Sequence, residues 1–393
     1  MSNSEPKQKR GRPSIARGEV FDVWLAAGGR CTFCNCLVSE NDELGEAVPI
    51  GELAHNVGWA ETSPRGKESE LDPEDRQAAE NLILACRNCH KPIDQAGVVE
   101  RYTVEELTTR KREHEDRIRT LTSIGPDRSA FVVRFAGSVR GVPPAMSRQH
   151  IQRAATEAGL YPRRLPGAFW EDIDLDTRDM GDPEFSSSEN EEIRSRISRL
   201  VKQVHNGIED DAVDRVALFA FARIPYLVEL GAQFGDKAPL TVFKRHRDDA
   251  KPWRWPASNQ SNEFATEVVR EGESATAPTL IIELSGAIPL SDVEQLVPET
   301  STVYALRPVG NVPDLGAVSS PADLLAFERT IRQFISSCEN AHPTITTVHL
   351  FPAVDVASAV TLGRVLLPSV SPAWTVYDRD LSGDFQEAMR VAP

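Results

Sequence analysis

Two C-x2-C pairs near the N-terminus constrain the fold of this chain most strongly. The first pair is Cys31 and Cys34, and the second is Cys86 and Cys89. Each pair can form a tight knuckle whose sulfur atoms point the same way, so together they can bind one tetrahedral Zn²⁺ ion. Cys36 could take the place of Cys34, but the spacing favours Cys34 and leaves Cys36 as a buried thiol. The sequence therefore predicts a compact module stapled by zinc.

Three polar residues are placed against this frame of cysteines. His55 lies in an apolar Leu-Ala-His stretch, Asn81 opens a second apolar run, and His90 directly follows the last cysteine of the frame. This His…Asn…His order resembles the HNH endonucleases, in particular the subclass whose ββα-metal fold is stapled by four cysteines. The resemblance implies an α+β nuclease domain. A structural zinc ribbon without activity would also have four cysteines, but it would not require the three polar residues together.

The chemistry of phosphodiester hydrolysis suggests a role for each of these residues. The reaction needs an activated water molecule and a cation that absorbs charge on the scissile phosphate. A neutral imidazole is a suitable base near pH 7, so His55 is expected to deprotonate the water. On a helix, His90 and Asp94 share one face and are the candidate ligands of the catalytic ion, Mg²⁺ or Mn²⁺.

Asn81 is expected to play a structural part, with its amide bonded to backbone so that it holds the loop presenting His55. Many HNH enzymes have an acidic metal ligand just before the first histidine. This chain has Ala54 there, which leaves the second protein ligand of the catalytic ion open.

Candidate DNA contacts come from one loop and from the N-terminal tail. Arg65, in Ser-Pro-Arg-Gly-Lys, is a candidate phosphate contact, with a solvated loop cation as the alternative. In the basic tail, the segment Lys-Arg-Gly-Arg-Pro resembles the core of an AT-hook. Such a motif lays arginines into a narrow minor groove, which makes Arg10 and Arg12 candidate DNA contacts. A disordered basic leader is the alternative.

The overall charge argues against a protein that holds DNA unaided. The chain has 393 residues and a net charge of −15, whereas phosphate binding usually leaves a basic footprint. A nuclease this acidic is expected to need assembly or activation before it holds DNA.

Cellular location follows from apolar runs and cysteine usage. No apolar run approaches about 18 residues and the polar N-terminus has no apolar signal core, so no membrane contact is expected and the chain is placed in the cytoplasm. Five of the six cysteines share one region, which is typical of metal binding and not of a disulfide framework.

The chain is expected to divide where Ile124-Gly125-Pro126 interrupts the helical pattern. Before that point a short helix is predicted from Gly18 to Ala27 and a charged amphipathic helix from Thr103 to Leu121. The predicted organisation is a basic tail, a nuclease domain with a connector helix, and a second domain, at 1–18, 19–124 and 125–393.

Two segments of the second domain match each other. Residues 218–231 and 350–363 both start Leu-Phe and end Leu-Gly, and each follows a β-rich approach, turns, and continues as an apolar helix. Two Rossmann-like halves would have this pattern, with a ligand beyond the carboxyl ends of the strands and against helix N-termini. Chance similarity between two buried β-α units is the alternative.

Cationic and aromatic residues favour a nucleotide ligand for this domain. A strand at 240–247 ends in Lys-Arg-His-Arg, and Trp253-Arg254-Trp255 follows; arginine beside aromatic surface is how proteins hold bases and phosphates together. From about residue 130 the chain resembles a SAVED domain, the cyclic-oligonucleotide sensor fused to effectors in bacterial antiphage signalling (CBASS). The resemblance rests on short motifs that occur in order: Ala-Arg-Ile-Pro at 222–225, His246-Arg247 with the two tryptophans, Leu284-Ser285-Gly286, the segment 349–353, Gly363-Arg364 and Tyr377-Asp378.

Together with the HNH motif, the whole chain resembles the HNH-SAVED effectors of CBASS. The resemblance implies an α/β sensor of two Rossmann-like (CARF-like) halves that binds a cyclic nucleotide, for which a cyclic dinucleotide is the preferred class. It also implies that binding drives homo-oligomerisation, and that the assembled HNH domains cut double-stranded DNA with little sequence preference. This mechanism would account for the acidic charge.

Ligand contacts are carried over from the same resemblance. Trp255 is expected in the core, because it faces away from Trp253 on a strand. Asp355 stands in the second loop, where a carboxylate beside phosphates is unfavourable unless it bonds a base edge or a ribose hydroxyl. The candidate ligand contacts are Arg247 and Trp253 first, then Arg223, Phe351 and Tyr377.

Two other functions fit parts of the sequence. One is a zinc module without nuclease activity that regulates or binds DNA. The other is a constitutive restriction-type HNH enzyme whose C-terminal domain reads modified or specific DNA. Residues 125–393 hold more acidic than basic side chains, which disfavours the second alternative.

Overall fold

The chain divides into two compact units, residues 1–124 and 125–393. The division falls in the segment where the sequence predicts a break. Arg10, Arg12 and Arg247 lie outside the described residues, so their predicted roles are not tested. The computed structural model describes residues 14–41, 47–67, 71–72, 75–95, 97–142, 144, 146–163, 174–181, 184–210, 215–246, 251–255, 261–368 and 370–392.

The N-terminal unit is built on an antiparallel strand pair followed directly by a helix. Its helices are α1 (Arg17–Ala26), α2 (Arg87–Ile93) and α3 (Val104–Thr122), and its strands are β1 (Ser39–Asn41), β2 (Ala47–Pro49), β3 (Gly51–His55) and β4 (Leu82–Cys86). β3 pairs with β4 so that Gly51 lies opposite Cys86 and His55 opposite Leu82. This pairing places His55, at the end of β3, beside the start of β4, which directly follows Asn81.

β4 is buried on both faces because it separates two small cores. Leu82 and Leu84 pack with Val23 of α1, whereas Ile83 packs with Leu107 of α3. Alternation of side chains along a strand produces this division.

The two helices predicted for this unit are confirmed as α1 and α3. Thr103 caps α3 by accepting a hydrogen bond from the Glu106 N–H at 3.2 Å. His114 is buried in α3, and its Nε2 lies 3.1 Å from the Ala27 carbonyl oxygen. The connector helix is thereby fastened to the end of α1. None of the helices in the described ranges is long and apolar enough to cross a membrane.

The C-terminal unit is an α/β structure with two sheets. Its helices are α4 (Arg148–Glu157), α5 (Ser187–Glu209), α6 (Ile224–Phe234), α7 (Leu290–Glu294), α8 (Pro321–Ala341) and α9 (Val356–Arg364). Its strands are β5 (Ser129–Ala136), β6 (Tyr161–Arg163), β7 (Asp174–Asp176), β8 (Arg215–Phe221), β9 (Leu240–Phe243), β10 (Phe264–Arg270), β11 (Thr279–Glu283), β12 (Val303–Pro308), β13 (Thr347–Ala353), β14 (Ala373–Arg379) and β15 (Phe385–Val391).

Parallel strands form the centre of both sheets, as predicted for Rossmann-like halves. The first sheet has the order β6-β5-β8-β9, with β7 also beside β5, and its pairings are parallel. The second has the order β10-β12-β11-β13-β14-β15, in which β10 and β15 are antiparallel edge strands. Parallel strands are buried on both faces, which is why β8 and β11 are apolar throughout their middles.

The two matching segments form equivalent structures, one in each sheet. Ala222 and Arg223 link β8 to α6, and Val354 and Asp355 link β13 to α9. Leu218 and its counterpart Leu350 face the core shared by the two halves. The predicted strand, turn and helix are thus present in both halves.

The terminal glycines of these segments allow α6 and α9 to cross in close contact. A Cβ atom at Gly231 would lie 2.0 Å from the Val360 carbonyl oxygen, and one at Gly363 would lie 2.0 Å from the Val228 carbonyl oxygen. Gly231 and Val228 occupy the positions in the first matching segment that Gly363 and Val360 occupy in the second. The crossing is therefore approximately symmetric, and the shared Leu-Gly ending has a packing cause.

We expect Gly231→Ala to destabilise the C-terminal unit by at least about 2 kcal/mol, because the added methyl group would force the two helix backbones apart. Chemical denaturation of the full chain measures the effect. Gly286→Ala is the matched control, since a Cβ atom there has no neighbour within 4 Å. Equal stability of the two variants would contradict the close crossing.

Candidate functional site

Cysteine sulfurs converge in the N-terminal unit. The Sγ atoms of Cys31, Cys34, Cys36 and Cys86 lie within 4.8 Å of one another. Cys34 Sγ lies 3.4 Å from Cys36 Sγ and 3.7 Å from Cys86 Sγ. Thiolates are the donors that structural zinc sites use. This four-cysteine cluster therefore fits a zinc ion.

The cluster differs from the predicted ligand set at Cys36. That residue is exposed and belongs to the cluster, so the prediction of a buried, separate thiol is wrong. Asn35, with a φ of 61°, directs the chain back so that the Cys31 N–H donates to the Cys36 carbonyl oxygen at 2.9 Å. Asparagine adopts this left-handed conformation more readily than most residues. The tight turn is what brings the extra thiol to the cluster.

The predicted ligand Cys89 is not one of the four cysteines whose sulfurs all lie within 4.8 Å of one another, although its thiol interacts with those of Cys86, Cys34 and Cys31. Burial, together with hydrogen bonds to Cys86 and Cys34, raises the pKa of its thiol. Contact with Cys34 is the main cause that raises the pKa of Cys36 to about 12. A bound cation would reverse this preference for the protonated form, because metal binding releases thiol protons. Five thiols thus interact, and the predicted set of Cys31, Cys34, Cys86 and Cys89 is contained within the five.

Asn81 clamps the backbone that follows His55. Its side-chain oxygen accepts from the Val57 N–H at 2.8 Å, and its amide nitrogen donates to the carbonyl oxygens of Val57 and Arg76, both at 2.9 Å. These are the hydrogen bonds predicted for its amide. His55 ends β3 and is 8% exposed. Its position is therefore fixed by β-pairing on one side and by Asn81 on the other.

His90 on α2 lies among carboxylates. Its Nδ1 hydrogen-bonds the Glu52 carboxylate, and its Nε2 lies 4.0 Å from Asp94 Oδ2. Among the described residues, the cysteines are the only group of three or more potential metal ligands whose donor atoms all lie within 4.8 Å. The roles of His90 and Asp94 as metal ligands therefore stay predictions.

Glu52 is a further candidate residue, bonded to His90, that the sequence analysis missed. The sequence analysis considered an acidic ligand only at the position directly before His55, where this chain has Ala54. Glu52 lies two positions earlier on the same face of β3, and α2 packs against that strand. The alternation of a strand was the signal that could have found it.

Arg65 is a structural residue, and its prediction as a DNA contact is wrong. Its side chain is 0% exposed, and its backbone has a φ of 58°. The guanidinium donates to the carbonyl oxygens of Asn56 at 2.6 Å, Ile93 at 2.9 Å and His55 at 3.1 Å, and to Asp94 Oδ1 at 2.8 Å. Its donors are therefore directed at the interior of the unit and not at a phosphate in solution.

A cavity of about 550 Å³ lies in the C-terminal unit where the two halves meet. It opens beyond the carboxyl ends of β8, β9, β13 and β14, at the N-termini of α6 and α9. This is the place predicted for a ligand of two Rossmann-like halves. Its lining comprises Val139, Arg140, Phe221, Ala222, Arg223, Ile224, Lys244, Arg245, His246, Leu315, Gly316, Val354, Asp355, Val356, Asp378 and Arg379.

The cavity is basic although the whole chain is acidic. Arginines, one lysine and one histidine outnumber the two aspartates of the lining. Both aspartates are engaged by protein groups: Arg223 Nε lies 2.9 Å from Asp378 Oδ2, and Lys244 Nζ lies 3.6 Å from Asp355 Oδ2. Burial raises the pKa of Asp378 against the opposing effect of Arg223. The cavity therefore offers its positive charge to an anionic ligand.

Asp355 has a local role that explains its presence in the second loop. Its carboxylate accepts from the N–H groups of Ala357 at 3.0 Å and Ser358 at 3.1 Å, so it is the N-cap of α9. N-capping by aspartate satisfies otherwise unpaired helix donors. Its charge is thus neutralised by α9 and Lys244.

Of the predicted ligand contacts in the described residues, only Arg223 lines the cavity. Trp253 is 1% exposed and packs edge-on against Phe219, with ring centroids 5.4 Å apart. Phe351 is 0% exposed and stacks on Tyr377 at 4.2 Å. The predictions for Trp253, Phe351 and Tyr377 are wrong, because these rings fill the outer faces of the two sheets.

Trp255 packs against the cores on both faces of the first sheet, which agrees with the prediction of core packing. Phe221 and Arg245 line the cavity and were missed by the sequence analysis. Arg245 belongs to the run of cations that ends the strand containing Lys244, so the signal was present in that run. The arginine that the prediction chose from this run, Arg247, lies outside the described residues, so that choice is not tested.

We expect the purified chain to hold about one zinc ion, and Cys86→Ser to lose it, because Cys86 is shared by the predicted and the observed sulfur sets. Metal analysis of each protein measures the content. Cys338→Ala is the matched control, since Cys338 is a buried cysteine of the other unit. Equal zinc in the two variants would contradict the site, and separate Cys36→Ser and Cys89→Ser variants show which thiol completes it.

We expect Arg65→Ala to destabilise the N-terminal unit by about 3 kcal/mol, because it leaves several buried carbonyl oxygens without donors. Hydrogen exchange of residues 51–67 in the full chain measures the loss of protection. Arg119→Ala is the control, since that side chain is 75% exposed on α3. A DNA contact would predict the opposite, with unchanged protection and weakened DNA binding.

Comparison with known proteins identifies part of the C-terminal unit. Residues 197–391 match the family SAVED, the SMODS-associated and fused to various effectors sensor domain. A comparison with curated proteins gives no significant match.

Solved structures of the Acinetobacter baumannii Cap4 SAVED/CARF-domain containing receptor are similar to this chain. The structure with the cyclic trinucleotide 3′3′3′-cAAA has a TM-score of 0.46 and 14% identity, and the one with 2′3′3′-cAAA has 0.45 and 14%. A third structure of the receptor has 0.40 and 13%. Each covers 74% of this chain, which spans 60%, 60% and 58% of those chains, less than two thirds of their length. From the family match, the chain carries a SAVED sensor domain in residues 197–391.

Proposed function

We propose that this protein is a DNA endonuclease controlled by a cyclic oligonucleotide. The C-terminal unit would sense the nucleotide, and the N-terminal unit would be a metal-dependent HNH nuclease that degrades double-stranded DNA in antiphage defence. The observation that carries the proposal is the basic cavity inside a SAVED unit, joined in one chain to the His55, Asn81 and His90 arrangement.

The cavity supports an anionic nucleotide ligand. Its volume of about 550 Å³ is in the range of small-molecule sites. Its cationic lining suits phosphodiester groups, and its apolar residues, such as Phe221 and Ile224, offer surface for bases. We propose a cyclic dinucleotide as the ligand class. Two of the Cap4 structures are of the receptor with a cyclic trinucleotide, so cyclic trinucleotides are included in the test.

The N-terminal unit supports hydrolysis by a histidine base. Near pH 7 an imidazole such as that of His55 can accept a proton from water. Asn81 would hold the His55 loop in place through its three backbone hydrogen bonds. His90, Asp94 and Glu52 offer nitrogen and oxygen donors of the kind that Mg²⁺ or Mn²⁺ accepts. When bound, that ion would supply charge stabilisation at the scissile phosphate.

Control by assembly would reconcile the acidic charge with a DNA substrate. One chain has a net charge of −15, which repels the negatively charged DNA backbone. Ligand-driven homo-oligomers would bring several nuclease units onto one duplex, so that weak single contacts add up.

We expect the protein with Mg²⁺ or Mn²⁺ to cleave plasmid DNA only when one member of a panel of cyclic di- and trinucleotides is added. His55→Ala should lower the rate at least about 100-fold, since it removes the general base. His150→Ala, on α4, is the matched control and should cleave normally.

The remaining outcomes separate the alternatives. Equal cleavage without nucleotide would favour a restriction-type enzyme whose C-terminal unit is not a switch. No cleavage under any condition would leave the zinc module as a binding platform. Light scattering in the same mixtures tests whether the activating nucleotide also drives assembly.

A further inference from the structure

Three of the cavity's cations are already bonded to protein acceptors. Arg223 pairs with Asp378. Lys244 Nζ donates to the carbonyl oxygens of Leu315 at 2.9 Å and Val318 at 2.5 Å. Arg379 donates to Asp292 Oδ2 at 3.1 Å and to the Gly383 carbonyl oxygen at 2.5 Å. These side chains shape the cavity, and the donors just named are bonded to protein acceptors.

Arg245 differs from these three. Within the described part of the chain it makes no ion pair, and its buried Nε–H has no acceptor. Its guanidinium carbon lies 5.2 Å from the centroid of the Phe221 ring, and both residues line the cavity. The cation is therefore positioned by an aromatic face and not by an anion.

This arrangement is unfavourable without a partner. A buried donor without an acceptor loses its hydration and gains nothing in return, and a charged donor loses more than a neutral one. The aromatic contact compensates only in part. It also orients the plane of the guanidinium, which leaves the group ready for a planar, bidentate acceptor such as a phosphate.

The second half of the unit also has a cavity arginine beside a ring, but its donors are in use. The guanidinium carbon of Arg379 lies 4.2 Å from the centroid of the Phe385 ring, and its donors bond Asp292 and Gly383.

At the offset that relates the two matching segments, Phe221 corresponds to Ala353 and Arg223 to Asp355. The second half thus has a small side chain in place of the ring and a carboxylate in place of the cation. The unpartnered Nε–H of Arg245 directs an anionic group of the ligand to the first half.

We infer that Arg245, positioned by Phe221, binds a phosphodiester of the nucleotide ligand and fixes the ligand asymmetrically on the first half of the cavity. This inference rests on the proposed sensor function and names the residue that supplies its phosphate contact. Arg223, by contrast, is a positioning residue that joins the halves through Asp378.

Binding of cyclic di-AMP, cyclic di-GMP, cyclic GMP–AMP and cyclic tri-AMP to the full chain tests the inference by calorimetry. For each probe that the natural protein binds, Arg245→Met should weaken binding roughly 10- to 100-fold, as expected for the loss of charged hydrogen bonds. Arg245→Lys should recover only part of the affinity, because it restores charge without the planar donors. Phe221→Leu should weaken binding about 3-fold or more through loss of the aromatic contact.

The controls separate ligand binding from stability. Arg332→Met, on α8, removes an arginine of the same unit that does not line the cavity and is ion-paired with Glu328 at 2.9 Å, and it should change affinity less than about 3-fold. Without ligand, Arg245→Met should unfold at the same temperature as the natural protein or higher, because it replaces an unpaired buried donor by an apolar chain of similar length. A lower unfolding temperature with unchanged affinity would overturn the inference and make Arg245 a structural residue.

Failure of the inference is distinguishable from failure of the proposed function. If the natural protein binds a probe and Arg245→Met binds it equally well, the sensor function stands and the assignment of Arg245 is wrong. If the natural protein binds none of the probes, the proposed ligand class and the assignment both fall.

Discussion

The close crossing of α6 and α9 is the contact on which the architecture of the C-terminal unit depends. Gly231 and Gly363 let each helix backbone reach the carbonyl oxygens of the other. Because each helix directly follows a strand of its own sheet, the crossing brings the carboxyl ends of both sheets to one place. The cavity is a consequence of that geometry, and its position depends on the backbone and not on the ligand-binding side chains.

Charge is distributed so that the cavity stays basic in an acidic protein. The two ion pairs connect the halves crosswise: Arg223 before α6 pairs with Asp378 after α9, and Asp355 before α9 pairs with Lys244 after α6. Each carboxylate is thereby neutralised within the protein. The pairs stabilise the junction of the halves, and the surplus of cations remains for an anionic ligand. An unbound Arg245 is tolerated because ion pairs and packing elsewhere stabilise the unit.

The sequence predicted backbone features better than it predicted the surroundings of side chains. The matching segments, the helix breaks and the hydrogen bonds of Asn81 follow from local rules, and the structure has them. The predicted ligand contacts of the aromatic residues were wrong for a different reason. Phe351 lies in β13 and Trp253 follows β9, and composition does not say which of the apolar rings near a strand end borders the cavity. The prediction for Arg65 was wrong for a similar reason. An arginine in a polar loop is expected to be exposed, and the sequence does not show that three backbone carbonyl oxygens accept its hydrogen bonds.

The N-terminal unit depends on polar groups more than on apolar burial. The chain between β3 and β4 contains only short 3-10 turns among its described residues, and its carbonyl groups need donors. Arg65, Arg76 and Asn81 supply them from inside the fold; Arg76 alone bonds the carbonyl oxygens of Gly58 at 2.9 Å and Gly66 at 3.2 Å. The two apolar cores on either side of β4 are small, and a metal that binds only the folded cluster adds its binding free energy to the stability of the fold. A cysteine cluster at one end of β4 and a polar clamp at the other therefore support the strand pair that carries His55. It follows that damage to the cluster or to the clamp should displace His55 even though both lie outside the strand that ends at this histidine.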